Sequence, residues 1–314
     1  MERRPIYMVR LIAFLAVLSL VVAACGGGEE GEGTSVADDT GSGDTTESGD
    51  TGGDGAEGEL TALFPDGTVR IGIANEVPYG YEGEDGEATG EAPELARAIL
   101  GELGIDNIEA TVVEFGSLIP GLLADQYDMI AAGMFINPER AEQVVFSDPD
   151  YCADTSFAVV EGNPHGLETF ESFLENDAIL GVLGGAVEET YAIETGIADG
   201  QISRFGDTPS LVDALTAGRI DAFALTGPTV QAQVSNLDGF EATEGFIPVI
   251  DGEEQLGCGA FAFHPDNQEF RDIFNAKLKE FQQDDKVLPI IEEFGFSEAA
   301  VNAAKDLTVE DLVG

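Results

Sequence analysis

From residue 69 onward, short apolar runs alternate with longer amphipathic segments. The run VRIGIA at 69–74 alternates in the manner of a β-strand. The segment APELARAILGEL follows, with Pro93 suited to a first helical turn, and its apolar side chains share one helical face: Leu95, Ile99, Leu100 and Leu103. A strand followed by such a helix begins an α/β pattern.

The pattern continues through the next sixty or so residues. It predicts a strand at 108–115, a short helix at 117–125 and a nearly all-apolar, buried strand at 127–135. Another helix begins at the stretch NPER, where Asn137 is the expected N-cap and Pro138 the first helical residue. Arg140 falls in the first turn of that helix, directly after a buried strand, and it is one of only 13 Lys and Arg residues in the chain.

The pattern then restarts, which predicts a second α/β unit. Its expected elements are a strand at 177–185, a helix at 186–196 that ends at glycine, a strand at 202–206, a helix at 208–218 with Thr208 as N-cap, and a strand at 219–227.

The chain is expected to pass between the two units twice, near residues 148–160 and 256–265. Two crossings predict two lobes that are joined by a two-stranded hinge and separated by a cleft. We place the first lobe at 61–152, the second lobe at 153–257, and the return to the first lobe with the C-terminal helices at 258–314.

Residues 1–24 have the pattern of a lipoprotein signal peptide. Arginines precede the stretch LIAFLAVLSLVV, which is too short and too close to the N-terminus for a stable membrane span. The stretch VAAC resembles a bacterial lipobox, so Cys25 is the expected lipidation site and first mature residue. The alternative is an ordinary secretory signal with an incidental Cys25.

Residues 25–60 form an acidic segment of Gly, Glu, Asp, Thr and Ser. So few apolar side chains cannot offset the entropy of ordering, and we expect a disordered linker. A lipid at one end and a folded region at the other predict a tether. The expected location is the extracytoplasmic face of the cell membrane, in a periplasm or on the outer surface, with only the lipid anchor in the membrane.

Charge and cysteine content exclude several classes of partner. The formal net charge of −48 makes nucleic acids and anionic lipid surfaces improbable partners. His165 and His264 lie far apart without metal-ligand spacing, so we expect neither a metal site nor a cofactor. Cys152 and Cys258 are compatible with a disulfide in an exported protein, although the sequence does not show that they meet.

Four motifs carry a family resemblance: GEAPELARAI, EFGSLIPGLLADQYDMIAAGM, NPERAEQVVFSDPDY and ALTAGRIDAFA. Over about residues 69–296, the chain resembles the extracellular solute-binding proteins of ABC importers for polar amino acids. The resemblance implies a two-lobed fold of the type II periplasmic-binding-protein kind, with the ligand in the interlobe cleft. It also implies a monomer that delivers a small zwitterionic ligand to ABC permease subunits and is not an enzyme.

The stretches ANEVPYGY, EFGSLIPGL, AAGMFINPER and SDPDYC carry a narrower resemblance, to the family members that bind ectoine and hydroxyectoine. In those members an acid contacts the ring nitrogens of the ligand, aromatic rings enclose it, and an arginine holds its carboxylate. The resemblance implies Glu76 as the acid, Tyr79, Phe115 and Phe135 as the rings, and Arg140 as the anchor. The chemistry agrees, because aromatic faces suit a delocalised cation and a guanidinium fork suits a carboxylate.

Two departures from the amino-acid binders bear on the ligand. Those proteins usually carry Ser or Thr in the loop after the first strand of the second lobe, whereas Gly184 and Gly185 here offer only backbone N–H groups. They also usually carry an Asp shortly after the motif GRxDA, and Thr226 stands at about that position. The missing Asp disfavours a ligand with a primary ammonium. Gly184, Gly185 and Thr226 are therefore also expected ligand-binding residues.

Several alternatives stay open. The cleft could bind ordinary polar amino acids, or the chain could be a dehydratase-like enzyme on this fold with Glu76 as general acid, although no Ser–His–Asp or Cys–His arrangement accompanies it. A sensory receptor would need a transmembrane span and a signalling domain after this fold. Phe115 and Phe135 could be core residues and Glu76 a solvated turn residue. Their shared position near the carboxyl ends of strands favours a binding site.

Overall fold

The structure, a computed structural model, describes residues 54–314. The predicted signal peptide, Cys25 and most of the predicted linker lie outside the described residues. The described strands are β1 Thr68–Ile73, β2 Tyr81–Glu82, β3 Ala88–Thr89, β4 Asn107–Val112, β5 Met129–Phe135, β6 Val145–Phe146, β7 Tyr151–Ala153, β8 Thr155–Val160, β9 Leu180–Leu183, β10 Ile202–Phe205, β11 Ala222–Thr226, β12 Phe240–Ala242, β13 Val249–Ile250, β14 Glu253–Glu254 and β15 Gly257–Phe263.

The helices of this region are α1 Asp54–Leu63, α2 Glu91–Glu102, α3 Leu118–Leu123, α4 Pro138–Ala141, α5 Val187–Thr195, α6 Thr208–Thr216, α7 Gly227–Val234, α8 Gln268–Gln283, α9 Val287–Ile291, α10 Glu298–Ala304 and α11 Val309–Val313. Short 3-10 helices lie at Phe115–Ser117, Phe170–Glu175, Asp199–Gln201 and Glu292–Phe294. Within residues 54–314, no helix combines the length and the apolar character that a membrane span requires.

The first lobe is built on a sheet with the strand order β4-β1-β5-β15-β6, and β7 also pairs with β15. The strand β1 lies parallel to both β4 and β5, so the carboxyl ends of these three strands meet at one edge. The strand β15 runs antiparallel to β5. Loops that follow β1, β4 and β5 can therefore converge on one place, as open α/β sheets require for ligand binding.

The second lobe repeats this plan in a sheet with the order β10-β9-β11-β8-β12. The strands β10, β9 and β11 are parallel, and β8 runs antiparallel to β11. This architecture confirms the predicted α/β fold with two lobes.

The chain passes between the sheets at Asp154, which separates β7 from β8, and again before β15. At this hinge Cys152 faces Cys258 across the β7–β15 pair, and the structure joins them by a disulfide.

Each sheet has an apolar core whose pattern follows from the sequence. In the first lobe, Val69, Ile71 and Ile73 of β1 pack with the apolar face of α2, including Leu95 and Ile99. Full burial of an aliphatic or aromatic side chain stabilises the fold by about 1.5–3 kcal/mol. In the second lobe, three rings from β8 and the following 3-10 helix meet edge to face: Phe157, Phe170 and Phe173.

Two local predictions were wrong. The disordered linker was expected to reach residue 60, but α1 begins at Asp54 and buries Leu60 completely. Just after this helix the Phe64 ring packs edge to face on Phe270 at 4.9 Å, so tertiary packing overrides the polar composition of the segment. The N-cap of α6 is Asp207 rather than Thr208, because the Asp207 carboxylate accepts the hydrogen bond from the Ser210 N–H.

Candidate functional site

The loops after β1 and β5 bring an acid and an aromatic ring to the same edge of the first sheet. Glu76 lies three residues after β1 in a tight turn, in which its N–H donates to Gly80 and its carbonyl accepts from the Tyr79 N–H. Phe135 ends β5. Both side chains are buried and line one cavity between the two lobes.

Arg140 reaches this cavity from the first turn of α4. The predicted cap is confirmed, since the Asn137 side chain accepts from the Arg140 N–H at 2.8 Å. One guanidinium N–H donates to the Phe135 carbonyl at 2.7 Å, and another donates to the Gly185 carbonyl of the second lobe at 3.0 Å. The guanidinium also lies 5.5 Å from the centre of the Phe115 ring. Its polar partners in the described residues are therefore neutral carbonyls, which leaves its charge uncompensated by direct contact.

Burial of Arg140 has an electrostatic consequence. Desolvation lowers the pKa of the guanidinium, and the charge of Glu188 exerts the largest opposing influence on that pKa. Arginine stays protonated even when buried. A buried cation held only by neutral groups gains most from an anion that enters the cavity, since desolvated charges attract each other more strongly than solvated ones.

A relay of hydroxyl groups connects the lobes on the opposite side of the cavity. The Tyr79 hydroxyl donates to Thr226 Oγ1 at 2.9 Å, and that hydroxyl donates to Thr229 Oγ1 at 3.2 Å. Thr229 in turn donates to Glu76 Oε1 at 2.8 Å. Each hydroxyl uses its one donor in the same direction, so the relay ends on the Glu76 carboxyl group as acceptor.

Glu76 is an acid whose charge state depends on its surroundings. Burial raises the pKa of Glu76 to about 7, although the hydrogen bond from Thr229 opposes the shift. The neighbouring Glu188 adds to the rise in the pKa of Glu76. A cation placed beside Glu76 would lower that pKa again and restore the carboxylate.

Two further aromatic rings, Tyr151 and Phe296, pack behind Tyr79 at the cavity. The Tyr79 ring stacks at 5.3 Å on Tyr151, and Phe296 packs edge to face on both rings. Gly133 makes room for this stack, because a Cβ there would lie 2.3 Å from the Tyr79 ring and its φ of +60° is unfavourable for other residues. Neither Tyr151 nor Phe296 was predicted from the sequence as a site residue, although Tyr151 belongs to the motif SDPDYC.

Glu188 is a second buried acid that the sequence analysis did not identify. It lies in the first turn of α5 and lines the same cavity as Glu76 and Arg140. Burial raises the pKa of Glu188 to about 7, and Arg140 opposes the rise. In the sequence it stands beside Glu189 on a helix, where an acid usually faces solvent, so only its position in the fold identifies it.

A pair of carboxyl groups lies near the aromatic stack, outside the cavity lining. Glu91 in the first turn of α2 and Asp150 before β7 are both buried, and their carboxyl groups lie beside each other. Burial, with Asp150 beside it, holds the pKa of Glu91 well above its usual range, and burial raises the pKa of Asp150 to about 6. Two carboxyl groups at one buried site cannot both ionise easily, so this pair retains a proton near neutral pH.

Six of the eight sequence-predicted ligand-binding residues line the cavity: Glu76, Tyr79, Phe115, Phe135, Arg140 and Thr226. Gly185 lies outside the lining, where its carbonyl accepts from Arg140 and its N–H donates to the Glu189 carboxylate at 2.9 Å. Gly184 lies outside the lining, and its N–H donates to the Phe205 carbonyl. The N–H groups of both glycines are thus already occupied within the protein.

The lobes are closed onto each other. The cavity between them measures about 30 Å³, whereas small-molecule pockets usually measure roughly 300–1,000 Å³. The backbones meet at Gly116 of the first lobe, where an added Cβ would lie 2.8 Å from the Gly184 carbonyl. A cavity of this size admits a ring-sized solute only when the lobes separate.

Comparison with known proteins agrees with this geometry. Residues 69–297 match the bacterial extracellular solute-binding proteins, family 3. The chain belongs to that family. As a member, this solute-binding protein works outside the cytoplasm with an ABC permease and binds small amino-acid-like solutes, which confirms the family predicted from the motifs.

Individual relatives of this solute-binding protein are moderately similar. It is 34% identical to a probable amino-acid ABC transporter periplasmic-binding protein, y4tE, of Sinorhizobium fredii over 249 residues, which are 78% of this chain and 83% of that protein. The crystal structure of EhuB in complex with hydroxyectoine matches with a TM-score of 0.74 and 35% identity over 82% of this chain and 98% of that one. An ancestral arginine-binding protein bound to glutamine matches with a TM-score of 0.64 and 27% identity over 73% and 97%.

Proposed function

We propose that this solute-binding protein captures ectoine-type compatible solutes, namely ectoine and hydroxyectoine, for import. The observation that carries the proposal is the composition of one buried cavity, which combines carboxyl groups, aromatic rings and a guanidinium that has no carboxylate partner among residues 54–314. Its ligand would be a compact zwitterion whose positive charge is spread over a ring.

Ectoine has this form, since it is a small ring with a delocalised amidinium cation and a carboxylate. In the proposed binding mode the amidinium N–H groups donate to Glu76, while the faces of Tyr79 and Phe135 cover the ring. A cation over an aromatic face gains about 0.5–2 kcal/mol. The carboxylate replaces the neutral partners of Arg140 and takes a two-pronged hydrogen bond from it. Phe115, which already lies against the guanidinium, would close that end of the site.

The position of Thr226 in the second lobe favours this ligand over an ordinary amino acid. A primary ammonium needs several acceptors around a compact charge, and a carboxylate would serve best. Thr226 supplies only a hydroxyl, which is engaged with Tyr79 and Thr229. The match to EhuB, whose structure contains hydroxyectoine, supports the same choice.

The proposal includes the attachment of the protein to the membrane. The lipobox-like stretch VAAC and the acidic segment after it support a lipid on Cys25 and a tether that leads to the folded lobes. The lobes would then bind solute beside the permease while the lipid alone enters the membrane.

A thermal-shift screen of the purified protein tests the ligand. Ectoine, hydroxyectoine, glycine betaine, arginine, glutamine and histidine are each added at 1 mM, and the melting temperature is measured. A ligand that binds only the native state stabilises it by RT ln(1 + [L]/Kd), which is about 2.7 kcal/mol at 100 times Kd. We expect a rise with ectoine and hydroxyectoine and none with glutamine; a rise with arginine or glutamine alone would replace the proposal with amino-acid transport.

A further inference from the structure

Glu188 lies opposite Glu76 in the same cavity, and the proposed binding mode gives it no role. It is supplied by the second lobe, from the first turn of α5, where the helix dipole favours a negative charge. Its side chain is only 2% exposed. A carboxyl group is seldom buried so completely unless it has a partner.

The Glu188 carboxyl group has an oxygen without a hydrogen bond. Among the described residues that line the cavity, Glu188 Oε1 is the one buried side-chain atom without a hydrogen bond. An unsatisfied buried acceptor costs about 1–3 kcal/mol, and more when it is charged. Closure of the two lobes around Glu188 is therefore unfavourable unless something in the cavity donates to this oxygen.

The charged groups around Glu188 do not supply that donor. The charge of Glu188 influences the pKa values of three ionisable neighbours: Arg140, Glu76 and Tyr191. The hydrogen bonds of the Arg140 guanidinium go to the Phe135 and Gly185 carbonyls instead. The cavity lining therefore contains two acidic side chains, Glu76 and Glu188, and one basic side chain, Arg140.

We propose that Glu188 is a ligand-binding residue of the second lobe, whose free Oε1 accepts a hydrogen bond from an N–H or O–H group of the bound solute. This inference rests on the proposed function and extends it to specificity. The first lobe already provides Glu76 for one donor on the ring and Arg140 for the carboxylate. Glu188 then selects solutes that carry a further donor toward the second lobe, such as the ring hydroxyl of hydroxyectoine.

Two substitutions of Glu188 test whether its side chain contacts the bound solute. Glu188→Gln removes the charge but keeps an acceptor, and Glu188→Leu removes the acceptor at similar volume. Affinities for hydroxyectoine and ectoine are measured by titration calorimetry. Glu194→Gln is the matched control, because Glu194 is an exposed acid on the same helix.

The direction of the affinity change in the Glu188 variants shows whether the solute contacts Glu188. If the solute donates to Glu188, affinity falls at least tenfold in Glu188→Leu and less in Glu188→Gln, with a larger loss for hydroxyectoine than for ectoine. If the solute does not touch Glu188, both variants bind as tightly as the wild type or more tightly, because closure no longer buries an unpaired carboxyl group; that result overturns the inference. Glu194→Gln keeps wild-type affinity in either case.

Folding and ligand identity are checked separately. Without ligand, Glu188→Leu should melt at or above the wild-type temperature, because it removes an unsatisfied buried acceptor. Glu188→Gln keeps an acceptor and should melt close to the wild-type temperature. If the wild type binds arginine and not the ectoines, the proposed function fails, and the same variants are titrated with arginine to decide the role of Glu188. A wild type that binds none of the solutes in the screen overturns both proposals.

Discussion

The two lobes have the same strand plan but contribute differently to the cavity. The first lobe supplies Glu76, the aromatic rings and Arg140, whose backbone turn, ring stack and cap lie within that lobe. The side chains of Glu76, Tyr79 and Arg140 also form hydrogen bonds to the second lobe. The second lobe supplies the Thr226 hydroxyl and the Glu188 carboxyl group to the cavity lining. Thr229 and the Gly185 carbonyl lie outside the lining and form hydrogen bonds to Glu76 and Arg140.

This difference assigns distinct tasks to the lobes. The backbone turn that carries Glu76 and the cap that carries Arg140 lie within the first lobe. In the proposed binding mode, both residues can therefore meet the charged ends of a solute before closure. The groups of the second lobe reach the solute only after closure. The first lobe should therefore determine whether a zwitterion binds at all, and the second lobe should tune which one is preferred and how stable the closed state is.

The largest expected effect comes from Arg140→Ala in the first lobe. Truncation of one partner of a buried charge pair costs about 2–5 kcal/mol, so ectoine affinity measured by calorimetry should fall by about 30-fold or more. Arg140→Lys should recover part of the loss, because a lysine keeps the charge without the planar fork.

Arg219→Ala is the matched control for this substitution, since Arg219 is an exposed arginine of the second lobe. It should bind ectoine as the wild type does. Unchanged ectoine affinity in Arg140→Ala would show that Arg140 does not bind the carboxylate of the solute.

Gly116→Ala should interfere with closure and leave the charged groups in place. Its Cβ would lie 2.8 Å from the Gly184 carbonyl, so the lobes cannot approach as closely. Overpacking of this kind costs about 1–3 kcal/mol, and we expect ectoine affinity to fall roughly 5- to 100-fold while the ligand-free protein remains folded.

Gly101→Ala provides the comparison, because Gly101 lies in α2 with no atom near the added Cβ. It should stabilise the protein by roughly 0.5–1 kcal/mol and leave affinity unchanged. Equal affinities in the two alanine variants would mean that ectoine does not require the closed contact at Gly116.

The smallest expected effect is the pH dependence of ligand-free stability. Burial raises the pKa of both Glu76 and Glu188 to about 7, above the value near 4.3 of an unfolded chain. The stabilisation from their protonated forms is therefore complete below about pH 4 and is lost as pH rises through 7. Because the cleft can open and return the carboxyl groups to water, we expect a loss of only about 1 kcal/mol between pH 6 and 8.

Urea unfolding at pH 5, 6, 7 and 8 measures this loss. The double variant Glu76→Gln with Glu188→Gln serves as reference, and its free energy of unfolding should fall less over the same range. If the wild type and the double variant have the same pH slope, these two carboxyl groups do not titrate in the closed state.

Local sequence rules located most of the first-lobe site. Buried strands with period-two patterns set the strand ends, and the Asn137–Pro138 cap fixed the position of Arg140 at a helix start. Since ligands of open α/β sheets bind at the carboxyl ends of strands, Glu76 and Phe135 could be assigned from chain position together with the family resemblance. The hinge positions of Cys152 and Cys258 also followed from the order of the elements.

The remaining features depend on contacts between distant residues. Nothing local distinguishes Glu188 from the solvated acids of the same helix, and only closure of the two lobes buries it. The relay from Tyr79 through Thr226 and Thr229 joins residues that are about 150 positions apart. The helix α1 likewise forms from a polar segment because Leu60 finds the first-lobe core. Such outcomes are decided by tertiary packing, which periodicity and propensity do not describe.

A crystal structure of the protein grown with ectoine tests the central claim most directly. The account predicts one solute molecule between the lobes, with its carboxylate within hydrogen-bond distance of the Arg140 guanidinium and its ring nitrogens facing Glu76. It also predicts the faces of Tyr79 and Phe135 against the ring. A solute bound elsewhere, or one whose carboxylate points away from Arg140, would contradict the account.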